Sequence, residues 1–107
     1  MPEVKFQLKG VFEFDWDEGN QDKNRQKHDV SQKECEEVFN NRPLKIFPDR
    51  KHSRVEVSFL VLGTTHKGRQ LSIFFTFRDS KVRVISASQQ SRKERGYYEK
   101  YKTNSAI

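Results

Sequence analysis

Along the first sixteen residues the even positions 4, 6, 8, 12, 14 and 16 are apolar, Val4, Phe6, Leu8, Phe12, Phe14 and Trp16, an alternation interrupted by Gly10. A period of two is the pattern of a strand with one buried face, and the glycine marks a bulge or turn between two strand pieces. Beyond Trp16 the pattern stops, and residues 17–28 hold no apolar side chain. With Asp17 as a cap and few β-formers, that segment reads as a helix that is polar on every side and needs tertiary support. The next helix signal is sharper. Ser31 and Glu34 make a capping box, in which hydroxyl and carboxylate each satisfy an amide at the helix start. Val30 and Cys35 bracket that cap as a hydrophobic staple. Cys35, Val38 and Phe39 form one apolar stripe, which makes Cys35 a core residue rather than a nucleophile. Asn40-Asn41-Arg42-Pro43 ends the helix.

Four strands are predicted next, at 44–47, 55–63, 69–78 and 81–88. Turns at 63–68 and at Asp79-Ser80 join the last three into an antiparallel meander. A second capping box, Ser91 with Glu94, opens a short C-terminal helix on which Tyr97 and Tyr101 share a face. This order predicts an α+β fold: an antiparallel sheet with two N-terminal helices packed on one face and a short C-terminal helix. A two-residue loop at Asp79-Ser80 pairs Arg78 with Lys81, Phe77 with Val82, Thr76 with Arg83 and Phe75 with Val84. Alternation then puts Ile73, Phe75, Phe77, Val82 and Val84 on the core face. The opposite face collects Ser72, Thr76, Arg78, Lys81 and Arg83, with Phe74, Ile85 and Ala87 further along. Ser86 takes the parity of Val84, toward the core.

Composition narrows the class. The 107 residues form one expected domain, 1–107, with 33% hydrophobic and 34% charged side chains. Leu, Ile, Val and Phe make up about a quarter of the chain, above the roughly 20% below which charged chains stay disordered. No apolar run is long enough for a membrane span or a secretory signal, and one cysteine excludes a disulfide framework and a zinc cluster. The expectation is a soluble, cytoplasmic domain. Its charge is uneven: residues 1–30 sum to −2, 31–62 to +1 and 63–107 to +7. The cations of the last part alternate with strand residues, so they form a folded basic face, either solvated or turned to a polyanion. Like charges side by side on a sheet cost stability, which argues for an anion that answers them. Cations beside an aromatic suit RNA, whose phosphates bind Arg and Lys and whose unstacked bases sit on rings. No helix is both basic and well formed enough for a DNA groove. No glycine-rich phosphate loop or paired-ligand spacing is present, so neither a cofactor nor a metal is expected.

A longer set of residues resembles a known family. Phe14-Asp15-Trp16-Asp17, Asn24, Lys27-His28, Val30-Ser31, Glu37-Val38-Phe39 and Pro43 are similar to the start of the BrnT-type ribonuclease toxins. Asp49, His52-Ser53, Gly63, Gly68-Arg69, Leu71 and Thr76 continue the likeness. It closes on Val82-Arg83-Val84-Ile85-Ser86-Ala87, Arg92, Glu94-Arg95 and Tyr98. The resemblance covers residues 12–99, leaving 1–10 as an N-terminal extension or extra strand. It implies a RelE-like fold and a metal-independent ribonuclease of a bacterial type II toxin–antitoxin pair. The implied partners are an RNA substrate and a BrnA-like antitoxin, which carries the DNA-binding domain, so DNA is met only indirectly. The chain departs from the family pattern at Asp29, where glycine is usual, at Arg25, where an apolar residue is usual, and at Ser58, Ser88 and Gln89, where cations are usual.

Metal-free RNA cleavage uses the ribose 2′-hydroxyl as nucleophile, and acid–base help is worth roughly 10²–10⁴-fold. His28, at a helix end inside a motif, is the first choice for proton transfer; the alternative is a cation answering the helix dipole. Lys27 reads as an acid, a phosphate clamp or a surface lysine. Arg78 and Arg83 suit charge stabilisation, since a guanidinium binds two phosphate oxygens at once. Lys81, Ser86, Arg92 and Arg95 are candidates for holding RNA, the two helix arginines for the antitoxin as well. Tyr98 reads as a base-stacking or proton-donating residue, or as packing. His52 and His66 read as solvated loop residues. The alternative to the nuclease is a non-catalytic module of the same fold that binds RNA or the antitoxin.

Overall fold

A computed structural model of the chain describes residues 13–17, 20, 29–49 and 57–105. Its elements are helix α1 (Gln32–Asn40), strands β1 (Lys45–Asp49), β2 (Ser58–Thr64), β3 (Gln70–Arg78) and β4 (Lys81–Gln89), and helix α2 (Arg92–Ser105). The strands build one antiparallel sheet in the order β1-β2-β3-β4. The α+β class therefore holds. Among the described residues one helix precedes the sheet, not two. The expected polar helix at 17–28 lies outside the described residues except for Asp17 and Asn20, as does the alternating segment up to residue 12. Those two residues cap each other: the Asn20 amide donates to Asp17 Oδ1 at 3.2 Å and the Asp17 amide to Asn20 Oδ1 at 2.8 Å. Asn20 is buried, and its side-chain amide donates to the carbonyls of Asp15 and Val84. No helix among the described residues is long and apolar enough to cross a membrane.

Helix α1 forms where its signals predict it. The Ser31 hydroxyl accepts from the Glu34 amide at 3.2 Å while the Ser31 amide donates to the Glu34 carboxylate at 3.1 Å. The buried stripe is Cys35, Val38 and Phe39. It meets the sheet face made by Ile73, Phe75, Val82 and Val84, with Val30, Val61 and Leu71 completing the cluster. Phe14 and Trp16 close its edge: Phe14 stacks on Trp16 and meets Phe39 edge-on, and the Trp16 indole donates to Glu36. Phe14 bridges Val82 in parallel fashion, so the N-terminal segment occupies the otherwise open edge of β4. Burial on the Cys35 side of α1 pushes the thiol up to about 12, which keeps it protonated and unreactive at neutral pH.

The β3–β4 hairpin has the predicted two-residue loop. Asp79 and Ser80 have φ of 53° and 66°, the left-handed pair whose twist matches the flanking strands. Arg78 pairs with Lys81, Phe77 with Val82, Thr76 with Arg83 and Phe75 with Val84, as the loop length requires. Between Phe74 and Phe75 the register shifts, so that Phe74 pairs with Ser86 and Ile73 with Ala87. This β-bulge reverses the parity of β4 past Ile85. Two expectations change with it. Ala87 lies on the core face and is buried, whereas Ser86 shares the opposite face with Phe74.

That opposite face is not simply wet. Helix α2 crosses it, anchored by Tyr98, which is 0% exposed against Phe47 and Leu62. The Tyr98 hydroxyl donates to the Pro43 carbonyl at 2.6 Å and shares a hydrogen bond of 2.7 Å with Thr64. Ser91 and Glu94 cap the helix reciprocally, and the second Glu94 oxygen accepts from buried Ser72. The sheet thus lies between α1 on one side and α2 on the other.

Candidate nucleic-acid interface

Cross-strand pairing sets four polar residues in a row on the α2 side of the sheet. Asp49 pairs with Ser58, Ser58 with Thr76 and Thr76 with Arg83, and directly paired residues share a face. Ser58 donates to the buried Asp49 carboxylate at 3.1 Å, and Thr76 to the Val57 carbonyl. The row ends in an ion cluster: Arg83 lies 2.9 Å from Asp17 and 3.5 Å from Asp15. Its close pairing with Asp17, against the opposing effect of burial, holds the guanidinium above its ordinary pKa. Ser58 is thus a buried donor to an acid.

The register of Thr76 and Arg83 is legible from the hairpin loop, but the acids that hold Arg83 were missed. The signal for them was present. Phe14 and Trp16 point into the core, so Asp15 and Asp17 must face the other way. Beside this cluster, Arg78 and Lys81 are exposed at the hairpin end, while Phe74 and Ser86 are half-buried nearer the middle of the same face.

A second polar group occupies the far end of β3 and β4. Gly68, Arg69, Gln70, Gln89, Gln90 and Arg95 line a cleft of about 270 Å³. Gly68 takes a left-handed φ of 88° at the turn. One terminal nitrogen of Arg69 donates to both Glu34 carboxylate oxygens at 3.0 Å and to the Asp29 carbonyl at 2.7 Å. Partial burial opposes ionisation of Glu34, but the Ser31 amide and Arg69 outweigh it and hold the carboxyl below its ordinary range. Gln90 is buried, its amide donating to the carbonyls of Leu71 and Gly63. Arg95 is exposed on the first turns of α2 and makes no ion pair among the described residues.

The candidate residues therefore separate. Arg78, Lys81 and Arg83 gather at the hairpin end, with Ser86 between the groups. Arg92 and Arg95 stand at the other end, past Gln89. Gln89 stands six positions beyond Arg83 on β4, roughly 20 Å at the usual strand rise. Lys27 and His28 lie outside the described residues. Asp29, which follows His28 in the chain, is at the Arg69 end and has a left-handed φ of 54°. Tyr98 is not placed to stack a base: its ring is fully buried, and burial raises its hydroxyl pKa. His66 is exposed and lies 3.4 Å from Glu37, and His52 is outside the described residues.

Exposed cations thus stand at the hairpin end of the sheet, Arg78 and Lys81, and at the start of α2, Arg92 and Arg95. The chain belongs to the BrnT family, the ribonuclease toxin of type II toxin–antitoxin systems, whose model matches residues 16–94, about three quarters of its length. Membership brings with it an RNA target and an antitoxin partner. No curated protein matches the chain.

Proposed function

We propose that the chain cleaves RNA without a metal ion and is held in check by a BrnA-like antitoxin, on a RelE-like fold. The observation that carries the site is the cleft at the β4–α2 junction, lined by Arg69, which binds Glu34 and the Asp29 carbonyl, and by Arg95, which has no ion pair among the described residues. In this reading the ribose 2′-oxygen attacks phosphorus and the bond to the 5′-oxygen breaks. The 2′ proton passes to a base and a second proton reaches the departing 5′-oxygen, leaving a 2′,3′-cyclic phosphate and a 5′-hydroxyl. Arg95 stabilises the charge of the phosphorane, and His28 and Lys27, which precede Asp29 in the chain, supply proton transfer. Arg78 and Lys81 hold the RNA backbone further along, and Arg83 orders that end of the face through Asp15 and Asp17.

The test is purified protein with end-labelled RNA in excess EDTA. Fragments ending in 2′,3′-cyclic phosphate are expected, and loss of cleavage on chelation would overturn metal independence. A second reading, binding without cleavage, draws on Arg83: its charge is already answered by two carboxylates. RNA that is bound but intact would favour it.

A further inference from the structure

Helix α2 has a second side, turned away from the polar cleft. Among the described side chains of α2, Glu94, Tyr98 and Tyr101 form the buried and half-buried stripe. Beside it runs an open groove of about 660 Å³, floored by Phe47, Leu60 and Leu62 and walled by Gly96, Tyr97 and Lys100. Tyr97 keeps 42% of its surface exposed although its ring meets those of Phe47 and Tyr101. Gly96 is the informative residue. Glycine inside a helix is the least favourable ordinary choice after proline, and nothing in the isolated chain requires it here. A side chain at that position would meet no atom within 4 Å, and its φ is not left-handed. What the missing side chain does is leave the wall of the groove low enough for another backbone to come close.

The charge at the rim defines what comes close. Lys93 and Lys100 border the groove, and Lys45 lies 4.1 Å from the Tyr101 ring. Glu94, between Lys93 and Lys100 on the groove lining, is engaged elsewhere: its oxygens are turned to Ser72 and to the amide of Ser91. An apolar floor under a lysine rim fits a segment with apolar anchors and acidic flanks. Two leucines in the floor favour protein over nucleic acid, since bases stack on rings. The wall from Arg95 onward also lies beyond the residues matched by the family model.

We propose that this groove seats an acidic, apolar-faced segment of the antitoxin, the partner that membership of the family supplies. Docking there places the antitoxin against the helix that carries Arg92 and Arg95, and so beside the cleft. The proposal rests on the toxin–antitoxin reading but not on the cleavage mechanism.

The probe is the protein encoded by the reading frame adjoining this gene, titrated calorimetrically against wild type and against Gly96→Met, Tyr97→Glu and the Lys93→Glu/Lys100→Glu pair. RNA cleavage by each is measured in parallel. Each variant is expected to bind the partner at least about tenfold more weakly while cutting RNA at the wild-type rate. Gly96→Met adds a good helix former to an open position, so the fold is retained, and circular dichroism checks this. Affinities within about threefold of wild type, an expected scatter for a surface that takes no part, would overturn the proposal. So would loss of RNA binding with partner affinity intact, which assigns the groove to RNA. A wild-type chain that forms no complex overturns the docking site, whereas intact RNA overturns the nuclease reading alone.

Discussion

Arg83 and Asp17 lie 2.9 Å apart, joining the hairpin end of β4 to the segment that bridges its edge at Val82. The guanidinium is therefore not a spare cation waiting for phosphate. It is one member of a cluster with Asp17 and Asp15, in which Asp17 is half exposed. Asp17→Asn is expected to cost about 1 kcal/mol, the upper range for a partly solvated pair, and to tighten RNA binding at low salt by removing a carboxylate near the polyanion. Thermal melts and a salt series of RNA-binding isotherms check both effects.

The separation of the two basic groups is testable by kinetics. Arg95→Ala is expected to lower kcat on the order of 10²-fold, the usual cost of one preorganised charge donor. Arg78→Ala and Lys81→Ala should instead raise KM with kcat nearly unchanged, and each should flatten the salt dependence of binding. A steady-state assay at two salt concentrations measures all three variants.

Tyr98→Phe keeps the buried ring and removes the hydroxyl that holds Pro43 and Thr64. The expected loss is about 1–2 kcal/mol, a Tm lower by several degrees, with kcat unchanged. A drop in kcat without a drop in Tm would return Tyr98 to the site.

At Gly63 β2 passes close to α1. A Cβ there would stand 2.5 Å from Val38 Cγ1 and 3.3 Å from Leu44 Cδ1. Gly63→Ala should destabilise the chain by about 1–3 kcal/mol through overpacking. Chemical denaturation reads this directly.

The Glu34 carboxyl is held below its ordinary value of 4.5 in the folded chain. A depressed acid adds stability that is complete above its unfolded pKa and is lost as pH falls through the folded one. The wild-type Tm should therefore fall more steeply below about pH 4.5 than that of Glu34→Gln. Melts between pH 7 and pH 3 compare the two.

Local chemistry settles much of this protein from its sequence. Ser31 and Glu34 cap their own helix, and Asp79 and Ser80 close a loop of defined length, so helix start, hairpin register and the core face of Ile73, Phe75, Val82 and Val84 need only nearby residues. The family likeness, too, is written in the order of short motifs. The tertiary structure alone decided the rest. The bulge past Ile85 that moves Ser86 and Ala87 between faces follows from how β3 and β4 pack, not from alternation. Arg83 meets Asp17 across 66 positions of chain, and Tyr98 reaches Pro43 across 55. Whether a charged or aromatic side chain faces RNA or answers a buried partner depends on such distant meetings, because charge and hydrogen-bonding capacity are local to a residue but their satisfaction is not.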